Sequence, residues 1–460
     1  RIFKREKLTR KGVIKMVELE IGQEIVTEYG TKAKVLGVIG KGEIATVYRV
    51  EINRTEWALK WFDIDKIPDP EAYRQNISKN IKDGEPNNKF LWPKYLTKKD
   101  ADGNFGYIME IKPDSFESFR DLIKDFKLVK DESGDLIKKH VRFSSIYAMV
   151  TAAINIVNTF RKLHKTGKRY HYMSDGGFFV NTETGAVLVG ECDNIAGDGV
   201  SFGIKGYPGY TAPELIMGKA KPSIQTDNYS LAAVLFKLLF RGDPMEGRKV
   251  VMDISLTEEE YLKHYGENAL FVYHPDDDSN RPVRGIHDNV IKFWQTYPDY
   301  INTAFTHSFT QGLTKPHERI GEEDWQKLFI RLRSEMIICM CGRTNFVSQF
   351  EKKDSRTYKC PRCGTEFSTL AFSNKNYRVP LYVGCKFYEC EIDINSDDFL
   401  TVAGEFVENK IRAGVLGIKN CSDKTWKAKM PDGVHDIEPG KGFPLWQGLE
   451  IDFGTIKAKV

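Results

Sequence analysis

The sequence predicts an α+β protein with two lobes, followed by a cysteine-rich ribbon and a small all-β domain. Three observations predict this fold class. Strand patterns flank a glycine turn in residues 35–62, helical apolar spacing dominates the middle of the chain, and short alternating strands return from about residue 377. Runs of strands followed by runs of helices are typical of α+β folds and of chains with separate domains.

The domain boundaries are placed where these patterns change. Residues 1–15 are dense in Lys and Arg and precede Met16, which predicts either a basic tail for an acidic surface or an added leader before a natural start. The predicted domains are an N-lobe at residues 16–113, a C-lobe at 114–335, a ribbon at 336–372 and an all-β sandwich at 373–460.

Composition excludes several classes of protein. Hydrophobic residues at 41% and aromatic residues at 12% of 460 positions indicate a globular chain. A formal charge of +4 does not by itself imply nucleic acid or a membrane as a partner, and no apolar run reaches the roughly 18–20 residues that span a bilayer. Four of the eight cysteines form two close pairs, which indicates metal binding in a reducing compartment, and we expect a cytoplasmic protein.

The N-lobe begins with a strand, a glycine turn and a second strand, VLGVIGKGEIATVYRVE, followed by EWALKWF. This pattern resembles the glycine-rich loop of protein kinases and the next strand, which carries a phosphate-binding lysine. A hairpin turn beside a solvated lysine is the alternative. The matching residues are Gly40, Gly42, Val47, Ala58 and Lys60, and Ala45 stands at the third glycine.

A helix at 70–83 should supply a carboxylate to pair with Lys60. Glu71 lies early in this helix, and the favoured register offers the uncharged Gln75 instead. The strand at 105–111 would then end the N-lobe, although an ordinary buried strand fits its sequence equally well. The resemblance implies nucleotide contacts from this strand at Met109, Glu110 and Ile111.

After a helix predicted at 142–165, the segment RYHYMSDGGFFVNTETGAVLVGECD (169–193) has the layout of a kinase active centre. It offers a catalytic loop, a turn, a short apolar strand and an acidic tripeptide. Counting back from the strand, the catalytic Asp falls on Tyr172, the metal-binding Asn on Gly177 and the metal-binding Asp on Glu191. The layout is present, but the residues for phosphotransfer are replaced. The carboxylates that could substitute are Asp175 and Asp193.

Structural residues of a kinase large lobe are better preserved. The tripeptide Ala212–Glu214 matches the kinase Ala-Pro-Glu. Asp227 matches an Asp that hydrogen-bonds the catalytic-loop backbone, and Arg319 matches the Arg that pairs with Glu214. The contrast between intact structural and missing catalytic residues favours a kinase-like fold without its usual chemistry.

Several segments resemble one group of bacterial Ser/Thr-kinase-like proteins: NKFLWP, TGAVLVGECDNIAGDG, GYPGYTAPE, PSIQTDNYSLAAVLF and HPDDDSNRP. Members of this group occur with a metal-dependent protein phosphatase and a von Willebrand A protein of the tellurite-resistance type. The resemblance covers roughly residues 21–335 and implies these two proteins as partners.

The cysteine pairs ICMCG and CPRCG read as two knuckles of a zinc ribbon. Four thiolates would leave no water position on the metal, so the predicted site is structural, and zinc would supply folding free energy. Two chance pairs of free thiols are the alternative. The predicted ligands are Cys339, Cys341, Cys360 and Cys363.

The last domain shows short alternating strands and glycine-rich turns, which predict a β-sandwich. Its end is reminiscent of forkhead-associated domains. The residues expected for phosphothreonine recognition are missing, so a protein-interaction or packing module is the expectation.

These features together predict a pseudokinase that acts as a regulatory or scaffolding module in bacterial phospho-signalling. ATP or another nucleotide could still bind through Lys60 and the glycine loop, whereas Mg²⁺ or Mn²⁺ is not favoured. Nucleic acid is not expected, because basic and aromatic residues are not clustered. The alternative is an atypical ATP-dependent kinase or nucleotidyl transferase with a rearranged active site, using Asp175, Glu191 or Asp193.

Overall fold

The computed structural model describes residues 18–204, 206–253, 257–349, 358–409, 412 and 414–460. The basic leader predicted for residues 1–15 lies outside these residues. The helices are α1 Pro70–Asp83, α2 Phe119–Lys124, α3 Ile146–Lys165, α4 Pro213–Ile216, α5 Ile224–Phe240, α6 Arg248–Val251, α7 Glu258–Tyr261, α8 Asp288–Trp294, α9 Asp299–Ser308, α10 Gln311–Thr314, α11 Glu322–Ser334 and α12 Glu389–Ile392, with a π-helix at Leu262–Glu267.

The strands from Glu24 to Gly197 are β1 Glu24–Val26, β2 Lys32–Lys41, β3 Ala45–Ile52, β4 Thr55–Phe62, β5 Tyr95–Leu96, β6 Gly106–Met109, β7 Glu117–Ser118, β8 Phe126–Lys130, β9 Leu136–His140, β10 Lys168–Tyr170, β11 Phe178–Val180, β12 Val187–Val189 and β13 Ile195–Gly197. The later strands are β14 Met336–Ile338, β15 Thr344–Phe346, β16 Tyr358–Lys359, β17 Glu366–Phe372, β18 Arg378–Leu381, β19 Lys386–Tyr388, β20 Val402–Glu408, β21 Leu416–Asn420, β22 Trp426–Met430, β23 Gly433–Ile437, β24 Gly442–Pro444, β25 Glu450–Asp452 and β26 Lys457–Lys459. The mixed α+β content agrees with the predicted class.

The chain divides into two compact units. Unit 1 contains residues up to 120 together with 162–180 and 187–227, and unit 2 contains 121–161, 181–186 and 228–460. None of the helices within the described residues is long and apolar enough to cross a membrane. The boundaries predicted from the sequence remain predictions.

Unit 1 is built on a six-stranded antiparallel sheet in the order β1-β2-β3-β4-β6-β5. Successive side chains of a strand point to opposite faces, so Ala58, Lys60 and Phe62 of β4 share one face. Ala58 and Phe62 belong to a buried cluster on that face, while Leu59 and Trp61 belong to a second cluster. Lys60 therefore projects from the same face as the predicted adenine-packing alanine.

Helix α1 has the bounds that the sequence predicts. The Asp69 side chain accepts a hydrogen bond from the Ala72 N–H, Pro70 occupies the first helical position, and the helix ends before Gly84. Its buried residues are Tyr73, Ile77 and Asn80. This inward stripe positions Tyr73 under the sheet.

The remaining strands of unit 1 form two smaller antiparallel groups. Strand β11 pairs with both β12 and β7, and β10 pairs with β13. The apolar strand predicted at 186–189 is confirmed as β12. These short strands bracket the loop 171–177 and the tripeptide 191–193, so both segments with candidate catalytic positions are fixed at their ends.

Unit 2 combines buried helices with β-structure. Helix α3 begins at Ile146, four residues later than the predicted start at 142, because the Ser145 hydroxyl caps the Ala148 N–H. Helix α5 is apolar on nearly every side and is buried along most of its length.

The C-terminal part of unit 2 contains two antiparallel sheets. One has β18 and the ordered strands β16-β17-β26-β25-β22-β23, and the other has the order β19-β20-β21-β24. Residues of both sheets share one apolar core, for example Phe387, Trp426 and Phe453. Strand β17 pairs with β16 and with β26, so it links the cysteine-rich segment to the last strand of the chain. The forkhead-associated likeness remains a prediction.

Candidate nucleotide site and metal centre

The predicted phosphate-binding lysine is held by a carboxylate inside unit 1. Lys60 Nζ lies 2.8 Å from both carboxylate oxygens of Asp193. The Lys60 side chain is 12% exposed and the Asp193 side chain 0% exposed. Asp193, which the sequence offered as a substitute metal ligand, is therefore enclosed together with Lys60.

Two buried phenols complete the contacts of Asp193. Tyr73 Oη donates to Oδ2 at 2.5 Å, and Tyr107 Oη donates to Oδ1 at 2.7 Å. Strand register explains the second contact, because Tyr107 of β6 lies directly opposite Lys60 of β4. Burial alone would raise the pKa of Asp193, but the charge of Lys60 and the three donors outweigh burial and lower this pKa. We refer to Lys60, Tyr73, Tyr107 and Asp193 as the lysine cage.

Helix α1 does not present Gln75 to Lys60, so that prediction is wrong. Gln75 is exposed and donates to the Glu71 side chain on the same helix. The inward residues are instead Tyr73 and Asn76, and Asn76 donates to the backbone carbonyl of Ile195 at 2.9 Å. The spacing of Tyr73 and Ile77, four residues apart, was the signal that could have set the correct register.

The catalytic-base position is occupied by a phenol in a left-handed backbone conformation. Tyr172 has φ 56° and Glu191, the metal-Asp position, has φ 52°. Non-glycine residues rarely adopt this conformation, and such residues concentrate at functional sites. The Tyr172 hydroxyl lies 2.9 Å from the Ser201 hydroxyl.

The metal-Asn position is filled by neighbouring side chains. A Cβ atom at Gly177 would lie 2.5 Å from Tyr170 Oη and 3.3 Å from Glu191 Oε2. Tyr170 Oη donates to the Gly190 carbonyl at 2.6 Å, which fixes the phenol there. Glycine is therefore required at 177 by close packing, and an asparagine would not fit without movement of Tyr170.

Glu191 and Asp175 lie beside this glycine with different partners. Glu191 Oε2 accepts a hydrogen bond from the Ser174 hydroxyl at 2.9 Å. Burial raises the pKa of Glu191, although the charge of Lys60 opposes this. Asp175 forms a 2.8 Å ion pair with Arg120, and both side chains are substantially exposed. Glu191 is thus a buried carboxylate bonded to a hydroxyl, whereas Asp175 is a more exposed carboxylate paired with a cation.

The predicted role of Asp227 is confirmed. Its Oδ2 accepts a hydrogen bond from the Tyr170 N–H at 2.7 Å and lies 2.9 Å from His164 Nε2. Asp227 therefore fixes the start of the loop that carries Tyr172. Next in this loop, His171 is buried, neither of its ring nitrogens has a hydrogen-bond partner within the described residues, and burial lowers its pKa to about 4.

The predicted nucleotide contacts largely fall into one apolar cluster. Ala58 and Met109 are buried in it, and Val47 and Ile111 pack against it. Phe179 and Leu188, which sequence reasoning missed, pack against the same cluster. Glu110 is exposed at the end of β6.

The glycine loop forms the hairpin between β2 and β3. Gly40 lies opposite Val47 in the register, and the Gly42 N–H donates to the Ala45 carbonyl at 2.8 Å. Ala45 is buried in the apolar cluster of Ala58. Its methyl group therefore packs inward, on the side where the predicted nucleotide contacts lie.

The four predicted zinc ligands come together in unit 2. Their sulfur atoms all lie within 4.8 Å of one another, with 3.4 Å between Cys339 and Cys363 and 3.7 Å between Cys341 and Cys360. A tetrahedral Zn²⁺ with bonds of about 2.3 Å requires sulfur atoms about 3.8 Å apart. The geometry and the soft thiol donors fit a structural zinc ion.

Each knuckle contains a turn at the glycine that directly follows its second cysteine. Gly342 has φ 80° and Gly364 has φ 73°, conformations that glycine adopts without strain. The Gly342 N–H donates to the Cys339 carbonyl and the Gly364 N–H to the Cys360 carbonyl, both at 2.8 Å. Among the described residues, the buried cluster at this site adds four side chains to the ligands Cys339 and Cys360, namely Ile337, Val347, Tyr358 and Phe367, so a bound metal would supply much of its stability.

No protein-family model matches the chain, and no curated protein is similar enough to match it. Among solved structures, two of the kinase domain of PknI from Mycobacterium tuberculosis, one of them a cysteine-to-alanine mutant, are similar to it. Each is 15% identical, covers 68% of this chain and 98% of its own, and has a TM-score of 0.42. Identity at this level gives no information on activity, so the interpretation of the site depends on its own contacts.

Proposed function

We propose that this chain is a pseudokinase: a kinase-like protein whose phosphotransfer site is occupied by internal contacts and which acts as a regulatory or scaffolding module. The lysine cage carries this proposal. The lysine expected to hold phosphates is committed to Asp193, and that carboxylate is fully satisfied by Lys60, Tyr73 and Tyr107.

The catalytic positions support the same proposal. Phosphoryl transfer requires a base or positioning group for the nucleophile and oxygen ligands for the metal. Tyr172 offers no carboxylate, and Gly177 offers no side chain and has no room for one. The left-handed backbone at Tyr172 and Glu191 is consistent with a loop that keeps an active-site geometry while its chemistry is absent.

Nucleotide binding without metal is the most specific activity that this proposal allows. The apolar cluster of Val47, Ala58 and Met109 would contact the base, whereas Lys60 could contact the phosphates only after it leaves Asp193. We therefore expect weak ATP binding that does not depend on Mg²⁺ or Mn²⁺.

A thermal-shift titration with ATP tests this expectation, with and without Mg²⁺ or Mn²⁺. Ligand that binds the native state raises its apparent stability by mass action. We expect a small shift that metal does not enlarge and that Lys60→Ala reduces. Lys94→Ala is the matched control, because Lys94 belongs to the same unit and pairs with Glu85. A metal-dependent shift would contradict the proposal.

The alternative is an atypical ATP-dependent kinase or nucleotidyl transferase. The contact that favours it is Ser174 with Glu191, a carboxylate beside Gly177 that has no cationic hydrogen-bond partner among the residues the structure describes. Incubation with α- and γ-labelled ATP distinguishes the two proposals. Label transfer that Glu191→Gln abolishes and Asp198→Asn leaves intact would support the transferase and refute the pseudokinase.

The C-terminal part would contribute protein contacts in this proposal. We propose that the cysteine cluster holds structural zinc, and metal analysis of the purified chain tests this directly.

We further propose a metal-dependent protein phosphatase and a von Willebrand A protein as partners, on the basis of the sequence resemblance. Failure of both proteins to associate in pull-down assays would remove this part of the proposal.

A further inference from the structure

Unit 2 contains a cavity whose wall includes Ile338, the residue before Cys339. Its volume is about 250 Å³. The wall combines the start of α3, the end of α11 and the connection from β18 into β19. The lining residues are Ser145, Tyr147, Arg333, Ile338, Tyr382, Gly384, Cys385 and Lys386.

Arg333 is a buried cation in this wall. It is 3% exposed, and its Nε and Nη1 atoms have no hydrogen-bond partner among the described residues. Only Nη2 is satisfied, by the carbonyl of Phe399 at 2.7 Å. The guanidinium lies 3.6 Å from the centre of the Tyr388 ring, which holds it in place. Unpaired buried donors on a charged group are costly, so they point to a missing acceptor.

Two further polar side chains of the cavity wall, Tyr147 and Lys386, can donate hydrogen bonds. The Tyr147 hydroxyl is buried without a hydrogen-bond partner in the described part of the chain, and Lys386 adds a second positive charge. Ser145 caps α3, so the positive end of that 20-residue helix also faces this wall. No carboxylate is among the lining residues.

The buried carboxylate near Arg333 is already engaged elsewhere. Glu391 accepts hydrogen bonds from the Tyr377 hydroxyl at 3.1 Å and from the Tyr388 N–H at 3.0 Å. It therefore offsets part of the charge of Arg333 without satisfying Nε or Nη1. Nε and Nη1 of Arg333 therefore still lack an acceptor among the described residues.

We propose that this cavity binds a small oxyanion, a phosphate or carboxylate group, with the guanidinium of Arg333 as its principal partner. The planar donor pair of arginine matches the two oxygens of such a group. Tyr147, Lys386 and the start of α3 add a hydroxyl donor, a second cation and a positive dipole.

Isothermal titration of the full chain at constant ionic strength tests the proposal, with inorganic phosphate, glycerol 3-phosphate and acetate as probes. We expect saturable binding of at least one probe, and Arg333→Gln should weaken it at least about tenfold, as expected for loss of a charged hydrogen-bond donor. A preference for glycerol 3-phosphate over inorganic phosphate would indicate a phosphate ester, and a preference for acetate would indicate a carboxylate.

Two further variants keep the test valid if Arg333→Gln does not fold. Tyr147→Phe removes only the unpaired hydroxyl, and Lys386→Ala removes an exposed charge. Each should weaken binding about threefold or more, whereas the exposed Lys441→Ala control should not. Absence of saturable binding by all three probes, or binding that neither Tyr147→Phe nor Lys386→Ala weakens, would overturn the proposal.

Discussion

Replacement of Asp193 by Asn is expected to destabilise unit 1 by about 3–4 kcal/mol. Removal of one partner from a buried ion pair costs about 3–5 kcal/mol, because the other charge remains buried and unpaired. The Lys60 side chain keeps 12% exposure, which allows some hydration and favours the lower half of that range. The asparagine keeps the shape of the aspartate, so loss of packing contributes little.

Replacement of the other partner, Lys60→Met, should destabilise unit 1 less, by about 1–2 kcal/mol. Asp193 would retain the hydrogen bonds from Tyr73 and Tyr107, and protonation could relieve the remaining charge. The double variant should cost less than the sum of the single variants by roughly 2 kcal/mol, since each single change already breaks the same ion pair.

Urea unfolding near neutral pH measures these free energies by linear extrapolation. The matched control is the pair of Lys94 with Glu85, which has the same 2.7–2.8 Å separation but side-chain exposures of 31% and 34%. Its neutralisation should cost about 0–1 kcal/mol. The lysine cage would not stabilise the fold if the losses of unfolding free energy in the Asp193 and Lys60 variants were additive and no larger than the loss in this control.

Three further predictions follow, two for unit 1 and one for the cysteine cluster. Gly177→Asn should destabilise unit 1 by about 1–3 kcal/mol through the clash with Tyr170 Oη, and Tyr170→Phe should recover part of that loss in thermal melts. Cys363→Ser should abolish stoichiometric zinc in metal analysis and lower the melting temperature, whereas Cys421→Ser should do neither. The pKa of Asp193 is lowered on folding, so its stabilisation is present above the unfolded pKa of about 3.9 and is lost as pH falls through the folded pKa. The difference between wild type and Asp193→Asn should accordingly shrink in urea titrations below about pH 4.

The elements whose bounds or turns depend on residues close to them in the sequence could be predicted. Helix α1 was predicted with correct bounds because its start and end depend on adjacent residues, Asp69, Pro70 and Gly84. The knuckles of the cysteine cluster are equally local, since each turn lies within five residues. The bonds that fix them join residues no more than four positions apart.

Contacts that depend on tertiary register could not be predicted. Lys60 and Asp193 are 133 positions apart, and nothing in either segment specifies that they pair. Tyr73 and Tyr107 complete the cage only because α1 and β6 approach the same carboxylate. An error of two residues in the register of α1 was enough to select Gln75 instead of Tyr73.

Lys60 cannot bind nucleotide phosphates and pair with Asp193 in unit 1 at the same time. If phosphates take Lys60, Asp193 stays buried with two phenol donors and no counter-charge. A cost of about 2 kcal/mol for this exchange would reduce nucleotide affinity about 30-fold, because every 1.4 kcal/mol corresponds to a factor of ten. Weak binding is therefore an expected property of the cage and does not require a blocked pocket.

This competition predicts that Asp193→Asn strengthens ATP binding while it weakens the fold. The variant frees Lys60 for phosphate, so affinity measured below the unfolding transition should rise about tenfold or more, with or without Mg²⁺. A metal-binding role for Asp193 predicts the opposite, because loss of a carboxylate ligand would lower the affinity for the Mg²⁺ complex. Asp198→Asn serves as the control, since Asp198 pairs with Arg169 and does not contact Lys60. A fall in metal-dependent affinity for Asp193→Asn would refute the pseudokinase and favour the rearranged transferase.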